Sequence, residues 1–109
     1  MRDLNKRVSP VAKEEAGFAA RNLALRLLLE IEAESAYANL VVPASLRESN
    51  LEIRDRNFVT ELVYGTLRMQ LLYDAVIASA SKRQVHKIDA VPLNILRLTA
   101  HQLLTLKIS

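Results

Sequence analysis

Residues 54–68 read RDRNFVTELVYGTLR, and this stretch decides the fold. Its apolar side chains recur at intervals of three and four residues, which places them on one stripe of an α-helix. Asp55 stands in the first turn, where free amides and the helix dipole favour a carboxylate. The stretch therefore predicts an amphipathic helix that needs other helices packed against it. The stripe consists of Phe58, Val59, Leu62, Val63, Thr66 and Leu67.

The same stripe continues beyond Gly65 as far as Ala80. This pattern predicts either one long helix or two helices joined near Gly65. Glycine costs about 1 kcal/mol relative to alanine inside a helix, so its presence indicates a tight helix crossing or a bend. The continuing positions are Met69, Leu72, Tyr73, Val76, Ile77 and Ala80.

The composition favours helices throughout a single domain. The 109 residues are 50% hydrophobic and include two glycines, three prolines and no cysteines. No segment alternates apolar and polar residues over a strand's length, so we expect an all-α fold. The lack of cysteine excludes disulfides, thiolate metal sites and a cysteine nucleophile, and it fits a reducing compartment such as the cytoplasm.

The formal charge of +3 is unevenly distributed. Residues 1–30 and 63–109 carry an excess of basic side chains, whereas residues 31–62 carry an excess of acidic ones. This arrangement suits a polyanion on one side of the molecule, although a charge of this size is also ordinary for a globular domain. Basic side chains and His101 interrupt the longest apolar runs, so we expect buried helices and no membrane span.

Residues 1–14 lack apolar periodicity and carry four cations around the break at Ser9 and Pro10. They predict a flexible basic arm ahead of a helical domain over residues 15–109. Such an arm is either a solvated terminus or a segment that settles on phosphates, where each cation would add salt-sensitive affinity.

Three further helices are expected around the central stretch. The first covers residues 15–34, with Phe18 anchoring its start. A shorter helix begins near Pro43, because proline is tolerated in a first turn, and Tyr37 would fill the corner before it. The last begins near Asp89 or Pro92 and is apolar on nearly every side, which predicts burial on several sides and a domain that continues beyond Ser109. The buried stripe of the first helix comprises Ala20, Ala24, Leu27, Leu28 and Ile31.

Convergent catalytic groups are not evident. His86 and His101 stand in no metal-ligand spacing with other histidines or carboxylates, and His101 is expected in the core or an interface. The acidic residues near Glu14 and at 30–34 suggest solvated charge, and Lys82, Arg83 and Lys87 suggest a basic loop. Two scattered glycines provide no phosphate-binding loop, so we predict that this chain alone is not an enzyme.

The amino-acid sequence of the central stretch also resembles that of a known family. From about residue 18 to residue 106 the chain resembles the NusB-like amino-terminal domain of the RsmB/Sun family, methyltransferases that use S-adenosylmethionine to make 5-methylcytosine in small-subunit ribosomal RNA. Thr99 and His101 depart from the family, which commonly has glycine and tyrosine there. The resemblance lies in DRNFVTELVYGTLR at residues 55–68, in Ala20, Arg21, Ala24 and Leu25, and in residues 95–98 and 102–104.

The resemblance implies a NusB-like bundle of about five or six helices that binds ribosomal RNA beside a catalytic methyltransferase domain of the same full-length chain. S-adenosylmethionine and the catalytic nucleophile would belong to that further domain, with no cofactor in this chain, a cytoplasmic location and no membrane partner. Family analogy and charge together suggest RNA contacts at the basic arm and the start of the first helix, namely Lys6, Arg7, Lys13 and Arg21, followed by Arg2 and Arg26.

Two alternatives stay open. The free-standing NusB transcription antitermination factor shares the fold, although its pattern usually includes a tryptophan that this chain lacks. A protein-interaction domain without RNA affinity is the other. The roles of Arg54, Arg56 and Arg68 are also open, with ion pairs the preferred interpretation.

Overall fold

A computed structural model describes residues 10–107, whose regular structure is entirely helical. Five α-helices follow one another along the chain, as the fold-class prediction requires. A short 3₁₀ turn at Val85–Lys87 precedes the last helix, and a π-helical turn at His101–Thr105 follows it. The helices are α1 (Pro10–Glu34), α2 (Ala38–Glu48), α3 (Ile53–Arg68), α4 (Gln70–Ser81) and α5 (Ala90–Ala100).

The core forms where α1 packs along α3, the most extensive helix pair in the fold. Ala20 and Ala24 are fully buried on α1, and their small side chains let the two helices approach closely. Val42 of α2 and Leu98 of α5 close the cluster from either side. The predicted stripes of α1 and α3 are therefore confirmed as the core. Its other buried members are Leu23, Leu27, Leu28, Val59, Leu62 and Val63.

The prediction of one long helix or a joint near Gly65 needs a correction. Helix α3 ends before Met69, whose φ of −103° and ψ of 14° lie outside helical geometry, and α4 begins after it. Gly65 lies within α3. Gly65 instead marks a tight crossing, because a Cβ there would overlap the His101 ring. After the break only Tyr73 and Ile77 of the continuing stripe are buried. Leu72 and Val76 are exposed.

Helix starts also differ from expectation. α1 begins at Pro10, so the last residues assigned to the basic arm are helical, and residues 1–9 lie outside the described part. α2 begins at Ala38 and contains Pro43 in its second turn. Proline has no amide hydrogen, so α2 lacks one backbone hydrogen bond at this position. The burial of the neighbouring Val42, which is 1% exposed, stabilises the helix by more than that loss. The first two backbone bonds of α2 both end on the Tyr37 carbonyl.

Two aromatic residues and the end of the chain are more exposed than predicted. Phe18 is 71% exposed, so it does not anchor the start of α1 in the core, and Tyr37 is 77% exposed, so it does not fill the corner before α2. α5 does begin after Asp89, with Pro92 in its first turn. Leu103 and Leu104 nevertheless remain about half exposed, because among residues 10–107 no helix covers that side of the last turn.

Candidate nucleic-acid interface

A groove lies between the start of α1 and the start of α3, and we call it the α1/α3 groove. Its volume is about 580 Å³. The connection before α3 forms one wall: the Ser49 hydroxyl donates to the Leu46 carbonyl at 2.8 Å and accepts from the Leu51 amide at 3.4 Å. The lining residues are Lys13, Ala16, Gly17, Asn50, Leu51, Glu52, Arg54, Asp55 and Phe58.

Arg21 lies beside this groove, where α1, α3 and the π-helical turn meet. Its Nε donates to Gln102 Oε1 at 2.6 Å, and its guanidinium carbon lies 5.2 Å from the centroid of the Phe58 ring. Its Nη1 would be 2.9 Å from a Cβ at Gly17, so glycine leaves room for the side chain to extend towards the start of α1. Arg21 is therefore half-buried, with its Nε bonded to Gln102 and its guanidinium beside Phe58.

The other predicted RNA contacts fall in different places. Lys13 is exposed at the α1/α3 groove. Arg26 is exposed too, but it lines a separate cavity with Glu30 and Glu48. At about 100° per residue, Arg26 lies roughly 140° around α1 from Arg21, so the structure does not bring them together. Arg2, Lys6 and Arg7 lie outside the described residues.

The three open arginines of α3 also separate. Arg68 Nη2 lies 3.9 Å from Glu61 Oε2, an exposed ion pair of the kind expected. Arg54 lines the groove, and neither it nor Arg56 forms an ion pair with another residue in the range 10–107. For Arg54 and Arg56 the preferred interpretation as ion-paired residues therefore finds no partner among those residues.

A buried charge cluster joins α1, α4 and α5 around Arg97, which is 4% exposed. Its Nε and Nη2 donate to the two carboxylate oxygens of Asp74 at 2.7 and 2.9 Å, and Nη1 donates to Glu32 Oε2 at 3.3 Å. Asn94 donates to Glu32 at 3.1 Å. Burial lowers the pKa of Arg97, but the hydrogen bonds and charges of Asp74 and Glu32 outweigh it and raise the pKa above its ordinary value. The cluster connects α1, α4 and α5. The prediction that Glu32 is only a solvated charge is wrong, because Glu32 accepts from Arg97 and Asn94.

A second polar chain runs through His101, which is fully buried as the sequence led us to expect. Its Nε2 lies 3.0 Å from Glu61 Oε2 and its Nδ1 lies 2.7 Å from the Tyr73 hydroxyl. An ionised carboxylate only accepts, so Nε2 donates to Glu61. The Tyr73 hydroxyl oxygen also lies 2.5 Å from the Thr105 hydroxyl. His101 lines none of the four cavities described, and the chain of hydrogen bonds ends at two groups on the surface, the Glu61 carboxylate, 44% exposed, and Thr105.

The part of the chain that the structure describes gathers no three His, Asp or Glu side chains able to hold a metal ion. None of its helices has both the length and the apolar character needed to cross a membrane. The two glycines lie inside α1 and α3, and residues 10–107 include no strand from which a glycine-rich cofactor loop could start.

The NusB family model matches residues 19–109, and the chain belongs to the NusB family. No solved structure matches it. The NusB-like domain predicted from the central motif is therefore confirmed.

Its relatives include larger proteins. A Mycobacterium tuberculosis protein named "Putative methyltransferase" is 46% identical over 89 residues, which cover 82% of this chain and 20% of the relative. A "Probable ribosomal RNA small subunit methyltransferase B" from Bacillus subtilis is 29% identical over 85 residues, or 78% and 19% of the two chains. One of the same name from Synechocystis is 33% identical with the same coverage. The chain spans about a fifth of the length of these relatives.

Sequence reasoning missed most of the groove. For Arg54, in the central motif, the sequence favours an ion pair and leaves the role open, and it predicts no role for Asn50 or Glu52. Phe58 was assigned to the core stripe, although its ring also faces Arg21. The one available signal was the spacing of Lys13, Gly17 and Arg21 at four-residue intervals on one side of α1.

Proposed function

We propose that this chain is the RNA-binding, substrate-positioning domain of an S-adenosylmethionine-dependent methyltransferase that makes 5-methylcytosine in small-subunit ribosomal RNA. One observation carries the proposal: about four fifths of this chain matches about a fifth of the length of each of three proteins named as methyltransferases. Two of the three are named as methyltransferases of small-subunit ribosomal RNA. Cofactor binding and methyl transfer then belong to a catalytic domain outside this chain, in a cytoplasmic protein.

Within the described residues, the RNA surface consists of the α1/α3 groove and its margin at Arg21. Lys13 and Arg54 place two cations at the groove, and Arg21 contributes a guanidinium plane beside an aromatic ring. Cations bind phosphates with salt-sensitive affinity, and flat guanidinium or aromatic groups stack on unpaired bases. Lys6, Arg7 and Arg2 would extend this surface from the arm, while Arg26 would contact RNA only along a separate path around α1.

The test is a titration of a small-subunit ribosomal RNA hairpin at low and at physiological salt. We expect Lys13→Ala to weaken binding and to reduce the slope of log affinity against log salt by about 1, because one phosphate contact is lost. Arg83→Ala removes the same charge from the turn between α4 and α5, where its Nη2 donates to the Lys87 carbonyl at 3.0 Å. This control should bind as the unchanged chain does.

Undetectable binding at low salt would overturn the RNA-binding proposal. So would affinity that is unchanged by alanine at Lys6, Arg7 and Arg21 together. An antitermination factor of the NusB type would also bind RNA, so it is distinguished by the coding sequence after Ser109. A methyltransferase domain encoded there supports the proposal, and a stop codon within a few dozen codons contradicts it.

A second candidate function, protein interaction without RNA, is favoured by an apolar groove between α1 and α5. The groove has a volume of about 260 Å³ and contains Phe18, 71% exposed, and Ile95, 45% exposed. Exposed apolar side chains in a groove are typical of protein contacts. Phe18→Ser should weaken a protein contact there and leave hairpin affinity unchanged, whereas Lys13→Ala should do the reverse.

A further inference from the structure

The polar side chains of the α1/α3 groove are uncommitted. Among residues 10–107 none of them takes part in an ion pair or donates or accepts a side-chain hydrogen bond. Two are cations, two are carboxylates and one is an amide, and all five line one open cavity. They are Lys13, Arg54, Glu52, Asp55 and Asn50.

This mixture restricts the chemistry of the ligand. A strip that only follows a phosphate backbone gains nothing from Glu52 and Asp55, because carboxylates repel phosphate. Carboxylate oxygens accept hydrogen bonds and cannot donate them. A ligand that suits the groove therefore carries an anion for Lys13 and Arg54 and, a few ångströms away, N–H donors for the two carboxylates.

The size and floor of the groove suit a flat ring. Its volume of about 580 Å³ lies within the range of pockets that hold small organic groups. Ala16 and Gly17 present almost no side chain on the α1 side, and the Phe58 ring lies opposite with Arg21 over it. Unpaired RNA bases stack on such aromatic and guanidinium planes, and their pairing edges are then read by polar side chains.

We propose that the α1/α3 groove binds one unpaired nucleotide of the RNA and prefers a base whose pairing edge carries an exocyclic amine, namely adenine, cytosine or guanine, over uracil. Lys13 and Arg54 hold the phosphate, while Glu52 and Asp55 accept from the amine. Cytosine offers the carboxylates an amine with two N–H donors, whereas uracil has a carbonyl oxygen at that position and keeps a single donor, N3–H, so the two pyrimidines are distinguished at equal size. This inference rests on the proposed RNA-binding function.

The experiment compares short single-stranded cytidine and uridine oligoribonucleotides of equal length at neutral pH and low salt. Fluorescence anisotropy with the purified chain should show tighter binding of the cytidine oligomer by about fivefold or more, the usual effect of one well-placed base contact. The double variant Glu52→Gln, Asp55→Asn should reduce the ratio of the two affinities to about one. Because the repulsion of the phosphate is removed, the double variant should bind the uridine oligomer at least as tightly as the unchanged chain, while the cytidine oligomer loses its contact with the carboxylates.

A matched control is Glu34→Gln, Glu48→Gln, which removes two exposed carboxylates outside the groove. It should keep the cytidine preference, and circular dichroism should show the same helix content in all three proteins. Equal binding of both oligomers by the unchanged chain, or a preference that survives the Glu52, Asp55 variant, would overturn the nucleotide site and leave the RNA surface standing. Failure to bind either oligomer or the ribosomal hairpin would overturn the proposed function itself. Competition by a peptide that carries both charges, without any base preference, would assign the groove to protein.

Discussion

The Arg97 cluster and the α1/α3 groove treat charge in opposite ways. Arg97 is buried and donates to Asp74, Glu32 and Asn94, so each of its nitrogens has a partner. In the groove, Lys13 and Arg54 are exposed and have no such partner among residues 10–107. Removing a charge from water is costly unless it is paired, whereas an exposed charge is stable alone. The cluster therefore serves the fold, and the groove remains free to bind.

Removing Arg97 should produce the largest change in stability. Arg97→Met keeps the length of the side chain but leaves Asp74 and Glu32 without their cation, at an expected cost of about 3 kcal/mol. Asp74 and Glu32 are partly exposed, which keeps the cost at the lower end for a broken buried pair. Urea unfolding followed by circular dichroism measures it.

The matched control for that experiment is Arg47→Met, the same replacement at an exposed position of α2. We expect a change within about 0.5 kcal/mol there, as for most surface substitutions. Equal losses from the two variants would show that the ion pairs of Arg97 add nothing beyond an ordinary surface charge.

The two helical glycines should respond differently to alanine. In Gly65→Ala the new Cβ meets the buried His101 ring and lies 2.7 Å from Glu61 Oε2. His101 is held by Tyr73 and Glu61, so the ring cannot move without breaking hydrogen bonds. Overpacking of this kind should exceed the helix-propensity gain of about 1 kcal/mol and leave a net loss of about 1–2 kcal/mol. Thermal denaturation should show a lower midpoint.

Gly17→Ala is the comparison for that variant, because its Cβ meets only the mobile end of Arg21. Stability should stay the same or rise by up to about 1 kcal/mol, since alanine is the better helix former. If Gly17→Ala lowered the midpoint as much as Gly65→Ala, the Arg21 side chain would be no easier to displace than the His101 ring, which contradicts this prediction.

Arg54→Ala should have the smallest effect on folding and a clear one on RNA. With no described partner to lose, its free energy of unfolding should change by less than about 0.5 kcal/mol. Hairpin affinity and its salt dependence should both fall. A large loss of stability would place Arg54 with Arg97 as a structural charge.

Much of the fold could be predicted from local pattern. The apolar stripes between Ala20 and Leu28 in α1 and between Phe58 and Leu67 in α3 predicted the buried faces of these helices. Helical periodicity determines which side chains lie on the same side. The family followed from the wording of the same stretch. Of the proposed RNA contacts, Lys13 and Arg21 do lie at one groove or its margin, while Arg26 does not.

The remaining features depend on distant contacts. Pro43 sits inside α2 because Val42 docks into the core, and no local rule contains that contact. The helix break at Met69 and the pairing of Arg97 with Glu32, 65 residues earlier, likewise depend on how helices meet. The sequence shows that a side chain is charged, but it does not show whether an oppositely charged side chain lies nearby in the folded protein.

By itself, the sequence determined the all-α class, the buried stripes of α1 and α3 and the NusB family, because periodicity and motif are properties of neighbouring residues. The tertiary structure alone decided that Gly65 accommodates His101, that Arg97 is neutralised by two carboxylates and that five polar groups of the α1/α3 groove have no side-chain partner among residues 10–107. The physical reason is that the cost of a charge or a Cβ is set by what surrounds it in space.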